Sequence, residues 1–288
     1  MTTPLTALIS DLHSNMPAVR TAVADALERG VQRFVCLGDV VGYGAEPRET
    51  LGFVMELVGA EGPARIPEGL PRAGEALETG VCLRGNHEDG LLVTPEDFNP
   101  KARAAIEWTR DELASGPPAE RQRFFDYLGE LEPERVDGTV QYAHGSPRDP
   151  LREYVIPRDS QDPDKLAGIF GPMTRGACFI GHSHVPAVYY EDGRIYLPKV
   201  PAGETAVGPF ALDARDPDDP ADTRSRAIVN VGSVGQPRDG DPRLSYVLFD
   251  GDNVTFVRLS YDLDTAAARI RAVEALPEYL AERLARGR

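Results

Sequence analysis

Three cysteines, one tryptophan and five histidines are all that the 288 residues contain of these types. Each shortage excludes something. An odd number of cysteines does not build a disulfide framework, so the expected setting is reducing and cytoplasmic. Cys36, Cys82 and Cys178 each sit in an apolar run, where a small buried residue is expected rather than a metal ligand. No run of about 18 or more apolar residues occurs, which argues against a membrane-spanning helix. The opening Met1-Thr2-Thr3-Pro4 offers neither a basic segment nor a long apolar one, so no signal peptide is expected. Positive charge is scarce too: 31 Lys and Arg against 46 Asp and Glu leave a net charge of −15. So acidic a surface repels the phosphates of a long nucleic acid. A small phosphorylated substrate is still admitted, because bound dications would reverse the local field.

What is present points to an ordinary α/β protein. Apolar residues make up 41% and charged residues 27%, enough for a sizeable core. Early punctuation suggests strand–turn–helix units: a strand over Leu5–Ser10, a helix over Pro17–Arg29 ended by Gly30, a strand over Arg33–Leu37 and a helix over Pro47–Val58. A short strand, Gly80–Leu83, then delivers an Asn86-His87 turn. Residues 89–135 read as an amphipathic helical insertion that caps the site, with helices over Lys101–Leu113 and Ala119–Leu131. From Gly138 strands dominate, with a hairpin turn at Asp192-Gly193. Asp213–Thr223 reads as an exposed acidic loop, and Ala266–Arg288 as one or two helices broken at Pro277. No shift in composition demands a second domain, so residues 1–288 are expected to form one.

The histidines are not scattered. All five fall in short runs where an apolar strand meets a small residue and then polar side chains: Asp11-Leu12-His13, Gly38-Asp39, Gly85-Asn86-His87-Glu88, His144-Gly145 and Gly181-His182-Ser183-His184. Asp11 and His13, at alternating positions of an extended segment, are expected to point the same way. Asp39 has two oxygens and could bridge two cations. Asn86 adds a neutral oxygen, and His144, His182 and His184 add imidazole nitrogens. That is too many donors for one four-coordinate zinc, and it suits two dications sharing a bridge. Mixed oxygen and imidazole donors favour Mn2+ or Fe2+, with Zn2+, Co2+ and Ni2+ admissible.

In this order the motifs resemble those of the calcineurin-like metallophosphoesterases, over residues 5 to 184. Gly38 to Gly44, His144 to Pro150 and Asn230 to Arg238 are similar to the bacterial subgroup related to diadenosine tetraphosphatase and serine/threonine phosphatases. The resemblance implies a four-layer α/β/β/α sandwich, with two mixed β-sheets flanked by helices. It also implies roles: Asp11, His13 and His184 on one metal, Asn86, His144 and His182 on the other, Asp39 bridging, and His87 as general acid. Water held between two such cations loses a proton near neutral pH and attacks phosphorus in line. A dinucleoside polyphosphate or a small phosphodiester is the expected substrate, with phosphomonoesters and phosphoproteins as alternatives. Two rivals are a non-catalytic metal-binding scaffold and a dinuclear hydrolase of amides or lactones.

The chain departs from the protein phosphatases of that superfamily, which carry an aspartate and an arginine where it has Gly42 and Tyr43. The carboxylate that orients the acid histidine there is therefore missing or replaced. Glu88 and Arg84 are expected to brace their turn as an ion pair. Arg148 and Arg238 are candidate phosphate clamps, with ion pairs to Asp149 and Asp239 as the plain alternative. Tyr43 either packs its loop or stacks on a base. Gly38, Gly85 and Gly181 precede ligands where tight turns favour positive φ.

Overall fold

The computed structural model of the chain describes residues 3–215, 219 and 221–288. Three strand–helix units come first, of which the spacing predicts two: β1 (Thr6–Ile9) and α1 (Met16–Glu28), β2 (Arg33–Cys36) and α2 (Pro47–Val58), then β3 (Glu78–Cys82) and α3 (Asn86–Leu92). Helices α4 (Pro100–Ser115) and α5 (Pro118–Glu130) follow. Next come β4 (Glu134–Asp137), β5 (Val140–Ala143), α6 (Pro163–Phe170), β6 (Ala177–Ile180), β7 (Ala187–Tyr190), β8 (Ile195–Tyr196) and β9 (Ala206–Ala211). The chain then runs through β10 (Ala227–Asn230), β11 (Leu244–Phe249) and β12 (Asn253–Leu259) to α7 (Leu263–Arg271) and α8 (Tyr279–Leu284).

The strands form two six-stranded sheets, ordered β3-β2-β1-β11-β12-β9 and β4-β5-β6-β10-β7-β8. Both are mixed. β1, β2 and β3 are parallel, as are β5, β6 and β10, while β11 and β7 run against their neighbours. Strand alternation explains the layers. In β1, Leu8, with Val35 of β2, faces Phe179 and Val229 of the second sheet, while Ala7 and Ile9 face Val19 and Leu51 of the helices. In β6, Phe179 faces inward, and Cys178 and Ile180 meet Ile169 and Phe170 of α6. Both faces of these strands are covered, which is why they read as unbroken apolar runs. The layers are those of the expected α/β/β/α sandwich.

Several elements escape the pattern for identifiable reasons. β4 is charged and β9 contains Gly208 and Pro209; both lie at sheet edges, where such residues are tolerated. α6 interrupts the region where strands were expected. Asn86 and His87 do not form a turn: they are the first residues of α3. The expected acidic loop, Asp213–Thr223, includes residues 216–218 and 220, which lie outside the described residues. No helix is long and apolar enough to cross a membrane among the described residues.

Candidate metal centre

Every candidate ligand follows the C-terminal end of a parallel strand. Asp11 and His13 come after β1, Asp39 after β2, Asn86 after β3, His144 after β5, and His182 and His184 after β6. The loops are stitched together by main-chain bonds. Asp11 N–H donates to Gly38 at 3.0 Å, His13 N–H to Asp39 at 3.0 Å, and Gly181 N–H to His144 at 3.0 Å. Behind them, Ser233 Oγ donates to the Asp11 carbonyl at 2.9 Å, so the Gly232–Gly235 segment supports a ligand loop.

Two expectations of local geometry fail here. β1 stops at Ile9, so Asp11 and His13 are not on an extended segment. Both are left-handed, with φ of 53° and 47°, as are Asp39 at 51°, His182 at 63° and His184 at 59°. Left-handed backbone costs a non-glycine residue about 1–2 kcal/mol, and such strain gathers where a site needs it. It curls each loop so that its side chains converge. Among the three glycines, only Gly38 has positive φ, at 99°. Gly85 and Gly181 serve close approach instead. A Cβ at 85 would lie 2.0 Å from Asp39 Oδ1, and one at 181 would lie 1.9 Å from Ser10 Oγ.

The donors assemble into two buried groups that meet at Asp39: Asp11, His13, Asp39 and His184 in one, Asp39, His144 and His182 in the other. In the first, His184 Nε2 lies 3.0 Å from Asp11 Oδ1 and 3.3 Å from His13 Nε2. In the second, His144 Nε2 lies 3.1 Å from both His182 Nδ1 and Asn86 Oδ1. Asp39 turns Oδ1 to His144 at 3.5 Å and Oδ2 to His13 at 3.8 Å.

These spacings fit metal ligation. Donors held at about 2.0–2.2 Å around one ion lie roughly 3.0–3.5 Å from each other. The remaining ring nitrogens are all engaged on main-chain oxygens: His13 Nδ1 on Val41, His144 Nδ1 on Leu37, His182 Nε2 on Arg152 and His184 Nδ1 on Gln236. Each carbonyl fixes a tautomer and leaves the other nitrogen's lone pair aimed inward. Asp11 Oδ1 is buried without a hydrogen-bond partner, despite its proximity to His184. Burial pushes all four imidazoles below their usual range. Burial works to raise Asp11, but the facing histidines prevail and hold its carboxyl well below the usual range. Burial, Glu88 and Asp11 push Asp39 well upward. Such crowding of carboxylates is what bound cations relieve.

Residues 5–194 match the family of calcineurin-like phosphoesterases. The chain belongs to that family. It is 31% identical over 294 residues to an uncharacterised protein of Methanocaldococcus jannaschii, with all of both chains covered. The crystal structure of a metallophosphoesterase from Sphaerobacter thermophilus is 32% identical, with a TM-score of 0.72, 99% of this chain and 100% of that one covered. A hypothetical protein from Pyrococcus horikoshii shares the fold at 19% identity and a TM-score of 0.68, covering 99% of this chain and 98% of its own. The protein is a metal-dependent phosphoester hydrolase.

Beside the two donor groups of this phosphoesterase, a cavity of about 240 Å³ opens to solvent. His87 lines it without belonging to either group. The His87 ring packs on Tyr43 at 4.4 Å and His13 at 4.7 Å, and its Nδ1 has no hydrogen-bond partner. Its Nε2 lies 4.0 Å from Asp39 Oδ2, and among the described residues no carboxylate bonds to Nδ1. Tyr43 is buried against the two histidines, so it packs its loop.

The expected pair of Glu88 and Arg84 does not form. Glu88 accepts from three main-chain N–H groups, at Gly85 (2.8 Å), Asp39 (2.9 Å) and Val41 (3.1 Å), which leaves it no need of a cation. Arg84 donates instead to the Gly129 carbonyl at 2.8 Å. The two candidate clamps also part company. Arg148 pairs with Glu153, outside the cavity lining, whereas Arg238 lines the cavity. Asp239 is taken by Arg258. Arg152 and Tyr154, which the sequence did not single out, line the cavity too. Tyr154 stacks on His182 at 3.9 Å, and Arg152 pairs with Asp89 and Asp97 at 3.0 Å each. Their only signal is a place a few residues beyond the His144 motif.

Proposed function

We propose that the phosphoesterase hydrolyses phosphoester or phosphoanhydride bonds of small phosphorylated molecules, with dinucleoside polyphosphates and small phosphodiesters as its substrates. Asp11, His13 and His184 would hold one divalent ion, Asn86, His144 and His182 the other, with Asp39 shared between them. Mn2+ or Fe2+ suits these donors best. When bound, the ions supply charge that acidifies an attacking water and neutralises the phosphoryl oxygens. The observation that carries this reading is Asp39, whose two oxygens face different histidines at 3.5 Å and 3.8 Å.

The chain's own residues do the rest. Four main-chain carbonyls hold the histidines in ligating tautomers, and Arg238 presents a guanidinium to an incoming phosphate. His87 is the proton donor to the leaving oxygen. Burial first, then Arg238, pushes His87 well below its usual value. An anionic phosphate in the cavity acts in the opposite sense and favours the protonated ring. The buried Gly42-Tyr43 turn supports a small substrate over a phosphoprotein, as it carries neither the aspartate nor the arginine of the protein phosphatases. Three free thiols suit a cytoplasmic setting.

A panel of dinucleoside polyphosphates, phosphodiesters, phosphomonoesters and phosphopeptides under Mn2+ tests the reading. Turnover of the first two classes above the others is expected. Phosphopeptide turnover above both would overturn the substrate assignment, and no turnover of any would overturn the catalytic one.

A further inference from the structure

The cleft does not end at the metal centre. It continues into a second cavity of about 450 Å³, which shares Tyr43, Asn99, Tyr154 and Arg238 with the first. Lys101 of α4 and Tyr279 and Arg283 of α8 are among its other walls, and no acidic residue of those described lines it. Three cations thus face one space in a chain with 46 acidic residues and only 31 basic ones.

Among the described residues, no Asp or Glu side chain pairs with these cations. Lys101 Nζ sits over the Tyr279 ring at 4.1 Å, and the Arg283 guanidinium lies 5.7 Å from Tyr43 and 5.4 Å from Tyr279. Arg283 Nε donates to an oxygen of the Arg288 carboxyl group, which offsets part of its charge. Arg238 reaches Gln236 Oε1 at 3.1 Å, but its Nε is buried without a hydrogen-bond partner. Elsewhere on the surface, arginines such as Arg226, Arg243 and Arg269 have found carboxylates. Burial and the nearby Arg238 push Arg283 below its usual value. Lys101 and Arg238 have no paired carboxylate side chain among the described residues, and they share one cleft with Arg283.

We infer that this cavity is a second anion subsite, which takes a further phosphate group of a substrate whose reacting phosphorus lies at the metal centre. The inference rests on the phosphoesterase reading of that centre and narrows it to molecules with two or more phosphate groups. Guanidinium forks match phosphate oxygens in pairs, and Lys101 adds a point charge. A substrate with one phosphate leaves these cations unneutralised; a phosphoanhydride chain reaches past Tyr43 and neutralises them.

Calorimetric binding to the manganese-loaded full chain tests this, with methylenediphosphonate as a stable diphosphate and methylphosphonate as the single phosphate. The diphosphonate should bind at least about tenfold more tightly. Lys101→Gln should shrink that ratio about threefold, and Lys101→Gln with Arg283→Gln should bring it close to one. A ratio near one in the unaltered chain overturns the inference. So does a ratio that survives the substitutions, since the advantage then comes from the metals. If the double variant does not fold, exposed Lys101 decides alone: an unchanged ratio in Lys101→Gln overturns the subsite. Hydrolysis of bis(p-nitrophenyl) phosphate is followed in parallel. Its absence would overturn the catalytic reading while the binding ratio still decides the subsite.

Discussion

His87 Nδ1 lies directly against the Cα of Gly42: a Cβ at position 42 would stand 2.1 Å from that nitrogen. The contact has consequences for both residues. Any side chain at 42 displaces the imidazole, and the φ of 91° there disfavours one as well. Gly42→Ala should therefore lower kcat at least tenfold, with the metal content little changed. His87→Gln should also keep its metals and lose about 100-fold or more of turnover, the usual contribution of a positioned proton donor. Metal analysis beside steady-state kinetics checks both. Full activity in His87→Gln would remove His87 from the mechanism.

Glu88 is fully buried and satisfies three main-chain donors on two different loops. Leaving a buried donor unsatisfied costs about 1–3 kcal/mol. Glu88→Ala should destabilise the metal-free protein by roughly 3 kcal/mol or more. Glu88→Gln, which keeps one acceptor oxygen, should cost less. Urea midpoints at constant slope measure the difference, and equal midpoints for the unaltered chain and Glu88→Ala would refute the bracing role.

Arg238 and Arg148 looked alike as candidate clamps, but only Arg238 lines the cavity. Arg238→Ala should raise KM for a small phosphodiester about tenfold, the scale of one charge-assisted contact. Arg148→Ala should change it less than about threefold, because its guanidinium is occupied by Glu153. Initial-rate kinetics on the two variants would reverse this ranking if the clamp were Arg148.

The buried imidazoles link stability to pH. His13 and His182 are held well below their usual value, by burial first and then by neighbouring histidines. Unfolded, they titrate near 6.5. Their contribution to stability is therefore complete above about pH 6.5 and is lost as pH falls toward the folded values. Asp39, pushed upward, has the opposite sign, so the difference between variants isolates the histidine term. The metal-free protein should lose stability between pH 7.5 and 5.5, and His182→Asn should lose less by up to about 1.4 kcal/mol per pH unit. Parallel slopes in urea titrations across that range would exclude the linkage. At pH 7.5, Mn2+ should raise the unfolding temperature of the unaltered chain, since it binds the native site more tightly than the open chain.

The sequence by itself determined which side chains could ligate and roughly which strand precedes each, because both are local. Apolar runs mark strands buried on both faces, and Asp, Asn and His are among the side chains that donate to hard or borderline cations. It also carried the first two strand–helix units, down to the bounds of α2, but not α3. Edge strands β4 and β9 stayed hidden, since charge, Gly208 and Pro209 erase the pattern that marks a buried strand.

Tertiary structure alone decided what each candidate meets. Asp11 and His184 are 173 positions apart and stand 3.0 Å from one another. Arg148 and Arg238 occupy similar Pro-linked turns, yet a neighbouring Glu153 captures one and leaves the other facing the cleft. Left-handed backbone at five of the seven donors is set by the packing of loops, on residue types that tolerate it. Partners brought close by folding set charge, tautomer and access, and no local pattern encodes a distance across the chain.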